Sequence, residues 1–95
     1  MYGTTMIATL ADGVGAEQIR TELETWEKEH QVDGFLSSHV MLADDGTRMV
    51  NVVVFETKQA YEALADDPRQ DAWWREHFAP LVTGEPQWID GTWIS

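Results

Sequence analysis

The chain has 95 residues, no Cys, and 17 Asp+Glu against 6 Lys+Arg, for a formal net charge of −11. That length fits one domain, residues 1–95, and the lack of Cys excludes a disulfide framework and a thiolate zinc site. The charge repels phosphate backbones, so no nucleic-acid partner is expected; no apolar run approaches the ~18 residues of a membrane span, and Met1-Tyr2-Gly3-Thr4-Thr5 lacks a basic leader region, so no membrane partner and a cytoplasmic location are expected.

Tyr2 to Leu10, rich in Thr, Met and Ile, predicts a strand that Asp12-Gly13-Val14-Gly15 breaks. From Ala16 to about Gln31, Ile19, Leu23, Trp26 and His30 recur at +4, +3, +4, one face of a helix, with Glu on much of the rest. Phe35 to Ala43 and Arg48 to Phe55 predict two strands joined at Asp44-Asp45-Gly46. Thr57 suits the cap of a short helix running through Leu64. Asp67-Pro68-Arg69-Gln70 then restarts the helix, with Asp67 as cap, Pro68 at the first position and Gln70 closing a capping box, and the helix runs to about Ala79. Gly84-Glu85-Pro86 reads as a turn before a last strand, Gln87 to Ile94.

The order β-α-β-β-α-β predicts an α+β, ferredoxin-like domain: a four-stranded antiparallel sheet with helices on one face. In the third strand Val50, Val52 and Val54 occupy one face and Met49, Asn51, Val53 and Phe55 the other, so both faces are apolar. One copy covers only one of them, and face-to-face pairing of two sheets in a homodimer covers the other. Five Trp, three Phe and two Tyr are a heavy load for so short a chain. They either fill the core or extend to a dimer surface and a pocket wall.

Asn51 interrupts an apolar strand, and a buried amide without partners costs about 1–3 kcal/mol. It must bond a neighbour or a ligand. Phe55 shares its strand face and Tyr61 lies on the following helix, so the three can form a pocket for a flat polar molecule. His39 depends on the hairpin. With a loop of Asp45-Gly46 alone it faces away from Asn51; with Asp44-Asp45-Gly46 it lies directly opposite, as a base beside the amide or as a structural histidine. The Asp-Asp-Gly sequence suits the second form. In the last helix Trp74, Phe78 and Leu81 follow a core stripe, and Trp73 and His77 an adjacent one. Trp73 and Trp74 therefore cannot both point at the sheet, and one of them borders a pocket or the dimer. His77 either joins that pocket or lies at the edge of the core. The three His sit on different elements, so no metal site is expected, and Gly13-Val14-Gly15 lacks the third glycine of a dinucleotide fingerprint.

From Gly34 to Trp93 the chain resembles the antibiotic biosynthesis monooxygenase family, small ferredoxin-like proteins that form dimeric α+β barrels. Gly34-Phe35-Leu36-Ser37, Asp45-Gly46-Thr47 through Val50-Asn51, Phe55-Glu56, Gln59-Ala60-Tyr61 and Asp67-Pro68-Arg69 carry the resemblance. It is strongest to the cofactor-independent, quinone-forming members. In those, an Asn, a Trp four residues later and a Tyr on the next helix surround the substrate. Asn51 and Tyr61 match the first and third, and Phe55 stands at the second. The resemblance implies oxygenation of a small phenolic or polyketide-like aromatic with no cofactor. Asn51 would bond the substrate oxygen, His39 or Tyr61 would exchange protons, and Phe55, Trp73, Trp74 and His77 would line the substrate. The alternative is a non-catalytic homodimer of the same fold that binds a small ligand or serves as an accessory protein.

Overall fold

The computed structural model covers Met1–Ser95 and follows the expected order. Strand β1 is Tyr2–Leu10, helix α1 Ala16–Glu29, β2 Phe35–Leu42, β3 Arg48–Phe55, α2 Lys58–Ala65, α3 Pro68–Trp73 and β4 Val82–Thr92. The four strands form one antiparallel sheet in the order β2-β3-β1-β4, the ferredoxin-like arrangement. Alternation decides what each face does. Met6, Ala8, Leu10 and Met49 turn inward and are buried against Ile19 and Trp26 of α1, Trp73 of α3 and Phe78 beyond it. The opposite face carries Thr5, Ile7, Val50, Val52 and Val54 half-buried, with Met41 and Ile89 63% and 55% exposed. No helix is long and apolar enough to cross a membrane.

Four local readings are corrected. The hairpin between β2 and β3 has a longer loop than either form considered. Ala43 pairs with Arg48 through a 2.9 Å bond, and Gly46 N–H donates to Ala43 O at 2.9 Å. Asp45 Oδ1 accepts from Thr47 N–H and Oγ1, and Gly46 takes φ +75°. This four-residue loop keeps the register of the Asp45-Gly46 form, pairing His39 with Val52 and Val40 with Asn51, so His39 faces away from Asn51 and the His39–Asn51 pairing that the Asp44-Asp45-Gly46 form predicts is not formed. Gly84-Glu85-Pro86 is not a turn ahead of the last strand. It lies within β4, where the register against β1 shifts between Ile7 and Thr9 and Gly84 takes φ +73°. Helix α1 ends at Glu29 rather than near Gln31. At α3, Asp67 caps Arg69 N–H at 2.8 Å, but Gln70 does not close a capping box; its Oε1 accepts from Trp26 Nε1 at 2.7 Å and ties α3 to α1.

After α3 the chain makes a π-helical turn, Trp74–Phe78, and a 3₁₀ turn, Ala79–Leu81. The wider turn re-phases the stripes expected from a regular helix. Trp73 becomes the buried indole, and Trp74 is only partly buried, stacked on Phe78 at 5.0 Å and leaning on Trp88 at 5.5 Å.

Candidate functional site

Between the inner sheet face and the helices lies a cavity of about 500 Å³. Eight aromatic side chains wall it: Trp26 from α1, Phe35 from β2, Phe55 from β3, Tyr61 from α2, Trp73, Trp74 and Phe78 from the α3 segment, and Trp88 from β4. Edge-to-face pairs fix the inner wall, with Phe35 5.9 Å from Phe55 and Phe55 5.5 Å from Tyr61. The cavity lining includes Asp71 and Glu85 but no Lys, Arg or His. Asp71 is ion-paired with Arg75 at 3.2 Å.

The polar groups are few. Asn51 reaches the cavity from β3 because its register places it with the buried Met49 and Phe55. Its Oδ1 accepts from Ser38 Oγ at 3.2 Å, and no protein acceptor meets its Nδ2. The Asn51 amide is thus half-satisfied and presents donors to whatever fills the cavity. Tyr61 donates to Asp90 Oδ1 at 3.0 Å, and Thr4 Oγ1 donates to the same oxygen at 2.6 Å. Burial, then the hydrogen bond to Asp90 and its charge, push the Tyr61 phenol up to about 12.

Because the folded value lies above the ordinary 10.0, the protonated phenol favours the folded state; that contribution is complete below about pH 10 and fades as pH rises toward 12. A spectrophotometric titration at 295 nm should therefore show a late phenolate, which disappears in Tyr61→Phe. If Tyr61 ionised near 10, the burial argument would fail.

The structure gathers Asn51, Tyr61, Phe55, Trp73 and Trp74 in one cavity. It does not bring His39 or His77 there. His39 is exposed on the opposite face of the sheet, where the hairpin register puts it. His77 is exposed on the π-helical turn, its Nδ1 3.5 Å from Glu22 Oε2 and its ring stacked 6.5 Å from the Trp73 ring. Sequence reasoning missed Ser38, Thr4 and Asp90. Asp90 carried a signal: in a strand whose Trp88, Asp90 and Thr92 alternate with Ile89 and Gly91, it falls on the inner-facing register. Thr4 sits directly opposite it. No three His, Cys, Asp or Glu side chains converge on one point.

Sheet order and chamber together define a ferredoxin-like α+β domain with a ligand-sized, aromatic-walled space between sheet and helices. Solved structures share this fold. A monooxygenase from the gene ActVA-Orf6 of Streptomyces coelicolor, in complex with nanaomycin D, is 24% identical with a TM-score of 0.71, covering 94% of this chain and 83% of that one. SnoaB, a cofactor-independent oxygenase from Streptomyces nogalater, is 13% identical with a TM-score of 0.70, covering 93% and 89%. The heme degrader MhuD from Mycobacterium tuberculosis, with two hemes bound, is 18% identical with a TM-score of 0.74, covering 100% and 97%. Antibiotic biosynthesis monooxygenases are thus among the structures that this fold resembles. At these identities the likeness establishes the fold. No protein-family model matches the chain, and no curated protein does.

Proposed function

We propose that the chain is a cofactor-independent monooxygenase acting with molecular oxygen on a small phenolic or polyketide-like aromatic. The observation that carries this reading is the half-satisfied Asn51 amide facing a chamber of about 500 Å³ walled by eight rings. Such a wall takes a flat ring by stacking, and the free Nδ2 donors take its carbonyl or phenol oxygen. Without a basic side chain in the lining, an uncharged ring system suits the chamber better than an anionic one. The protein's part is to orient the ring, hold its oxygen at Asn51 and keep water away from it while it reacts with oxygen. A monooxygenase bound to nanaomycin D and a cofactor-independent oxygenase share the fold.

The reading includes a homodimer through the open sheet face. All 17 carboxylates lie elsewhere, on helices, loops, β4's inner register or its irregular segment, so two copies can meet there on Val, Ile and Met without facing acids.

Asn51→Ala should retain the circular dichroism of the wild type and lose about 10²-fold in oxygen uptake with a hydroquinone or naphthol substrate, the scale for one oriented donor at a reacting oxygen. Undiminished turnover in that variant would sink the assignment. The placement of His39 outside the chamber supports a second reading, a dimeric small-ligand binder or accessory protein, since the lining then lacks any histidine base. Tryptophan fluorescence quenched by these aromatics with no oxygen consumed would support the binder over the oxygenase.

A further inference from the structure

Asp90 takes no part in that reading, yet it determines what Tyr61 offers the chamber. It stands on β4 directly opposite Thr4 of β1, which is 5% exposed. Thr4 Oγ1 donates to Asp90 Oδ1 at 2.6 Å and also lies 3.3 Å from Ile89 O, so a buried cross-strand neighbour anchors one oxygen of the exposed carboxylate. Tyr61 OH, 3.0 Å away, donates to the same oxygen. The Tyr61 ring has little freedom to turn elsewhere, with Tyr2 and Phe55 each 5.5 Å from it. A carboxylate oxygen only accepts, and a phenol has one proton. With that proton committed to Asp90, the Tyr61 oxygen has only lone pairs left for a ligand.

We infer that Asp90 is a positioning residue that fixes Tyr61 as a hydrogen-bond acceptor, so that the chamber selects aromatic ligands carrying a hydroxyl donor. The inference rests on the aromatic-ligand reading of the chamber and narrows it. Asn51 presents donors and Tyr61 an acceptor, so the complementary ligand carries a hydroxyl and a carbonyl on one ring system. Burial and the Asp90 charge hold the Tyr61 phenol protonated, which keeps this polarity in place at neutral pH.

Calorimetric titration of two compounds of nearly the same shape tests it: 1-naphthol, which donates, and 1-methoxynaphthalene, which does not. The wild type should bind the naphthol about tenfold more tightly, the scale of one well-made hydrogen bond. Asp90→Ala should bring the ratio to about one, because the freed Tyr61 hydroxyl can turn its proton to either ligand. Asp90→Asn should keep the preference, since the amide oxygen still accepts from Thr4 and Tyr61. Tyr61→Phe should erase it and needs no folded Asp90 variant. A merely structural Asp90 would weaken both ligands by one factor and leave the ratio unchanged in Asp90→Ala. That result, a preference surviving in Tyr61→Phe, or a preference lost in Asp90→Asn, overturns the assignment. Equal binding of both compounds by the wild type also overturns it and leaves the aromatic site standing. Binding of neither overturns the aromatic-ligand reading itself.

Discussion

Phe78→Ala should destabilise the protein by about 3–5 kcal/mol, the range for truncating a fully buried Phe. Phe78 is 1% exposed, and its ring lies 5.0 Å from Trp74 and 5.7 Å from Trp73. Removing it leaves both indoles without a partner on one side, and the large cavity next to them gives the void little chance to close. Small domains have only about 5–15 kcal/mol in hand. A thermal melt should therefore fall by on the order of 20 °C. His77→Ala, one residue earlier and exposed, is the control and should stay within about 0.5 kcal/mol. If the Phe78 variant melted within about 5 °C of the wild type, the α3 wall would be shown to repack freely.

Gly3→Ala should cost about 1–3 kcal/mol or more, although alanine is the smallest change a glycine can undergo. Gly3 is buried in β1, a central strand paired on both sides. A Cβ there would run into the Val53 carbonyl oxygen and the Trp93 indole nitrogen. The first is backbone of the neighbouring strand and can yield only if β1 and β3 part. The second belongs to a ring lying over the glycine, an arrangement that covers backbone a side chain would otherwise protect. Trp93 Nε1 is itself buried without a hydrogen-bond partner, so the ring is held by packing alone. Gly91→Ala is the matched comparison. Gly91 pairs directly with Gly3 across the strand, yet a Cβ on it meets nothing within 4 Å. Chemical denaturation should separate the two variants clearly; equal midpoints would mean that Trp93 swings away at little cost.

The fold was legible because its signals are local and periodic. Strand β3 alternates Val50, Val52 and Val54 against Met49, Asn51 and Phe55, and the structure keeps that division. Thr57 and Asp67 both cap the helices they precede, at 3.1 Å to Ala60 N and 2.8 Å to Arg69 N. The same local logic placed Asn51, Phe55 and Tyr61 around one space. What failed was phase. His39 turned on loop length, and a loop closed by the Asp45–Thr47 hydrogen bonds moves the β2 side chains from Ser37 to Leu42 by one residue relative to β3, while Phe35, beyond a bulge, still meets Phe55. Trp73 and Trp74 exchanged roles because a π-helical turn is not encoded in any spacing a regular helix predicts. The Thr4–Asp90–Tyr61 group was hidden for another reason. It joins residues 86 and 29 positions apart along the chain, and only the pairing of β1 with β4 brings them together.

The π-helical turn at Trp74–Phe78 has a consequence for how this chamber can be remodelled. A regular helix advances about 100° per residue, so taking one residue out of this turn would restore the usual winding and leave the helix axis nearly where it is. The residues beyond the turn would keep their facing, because the wider turn takes up one extra residue, and only the rings within it, Trp74 and Phe78, would shift so that they no longer close one wall with Trp73. The shape of the space thus depends on the number of residues as well as on their kinds. Exchanging side chains around it tunes an existing mould, whereas a single-codon deletion in this turn would recast the mould on an otherwise unchanged frame.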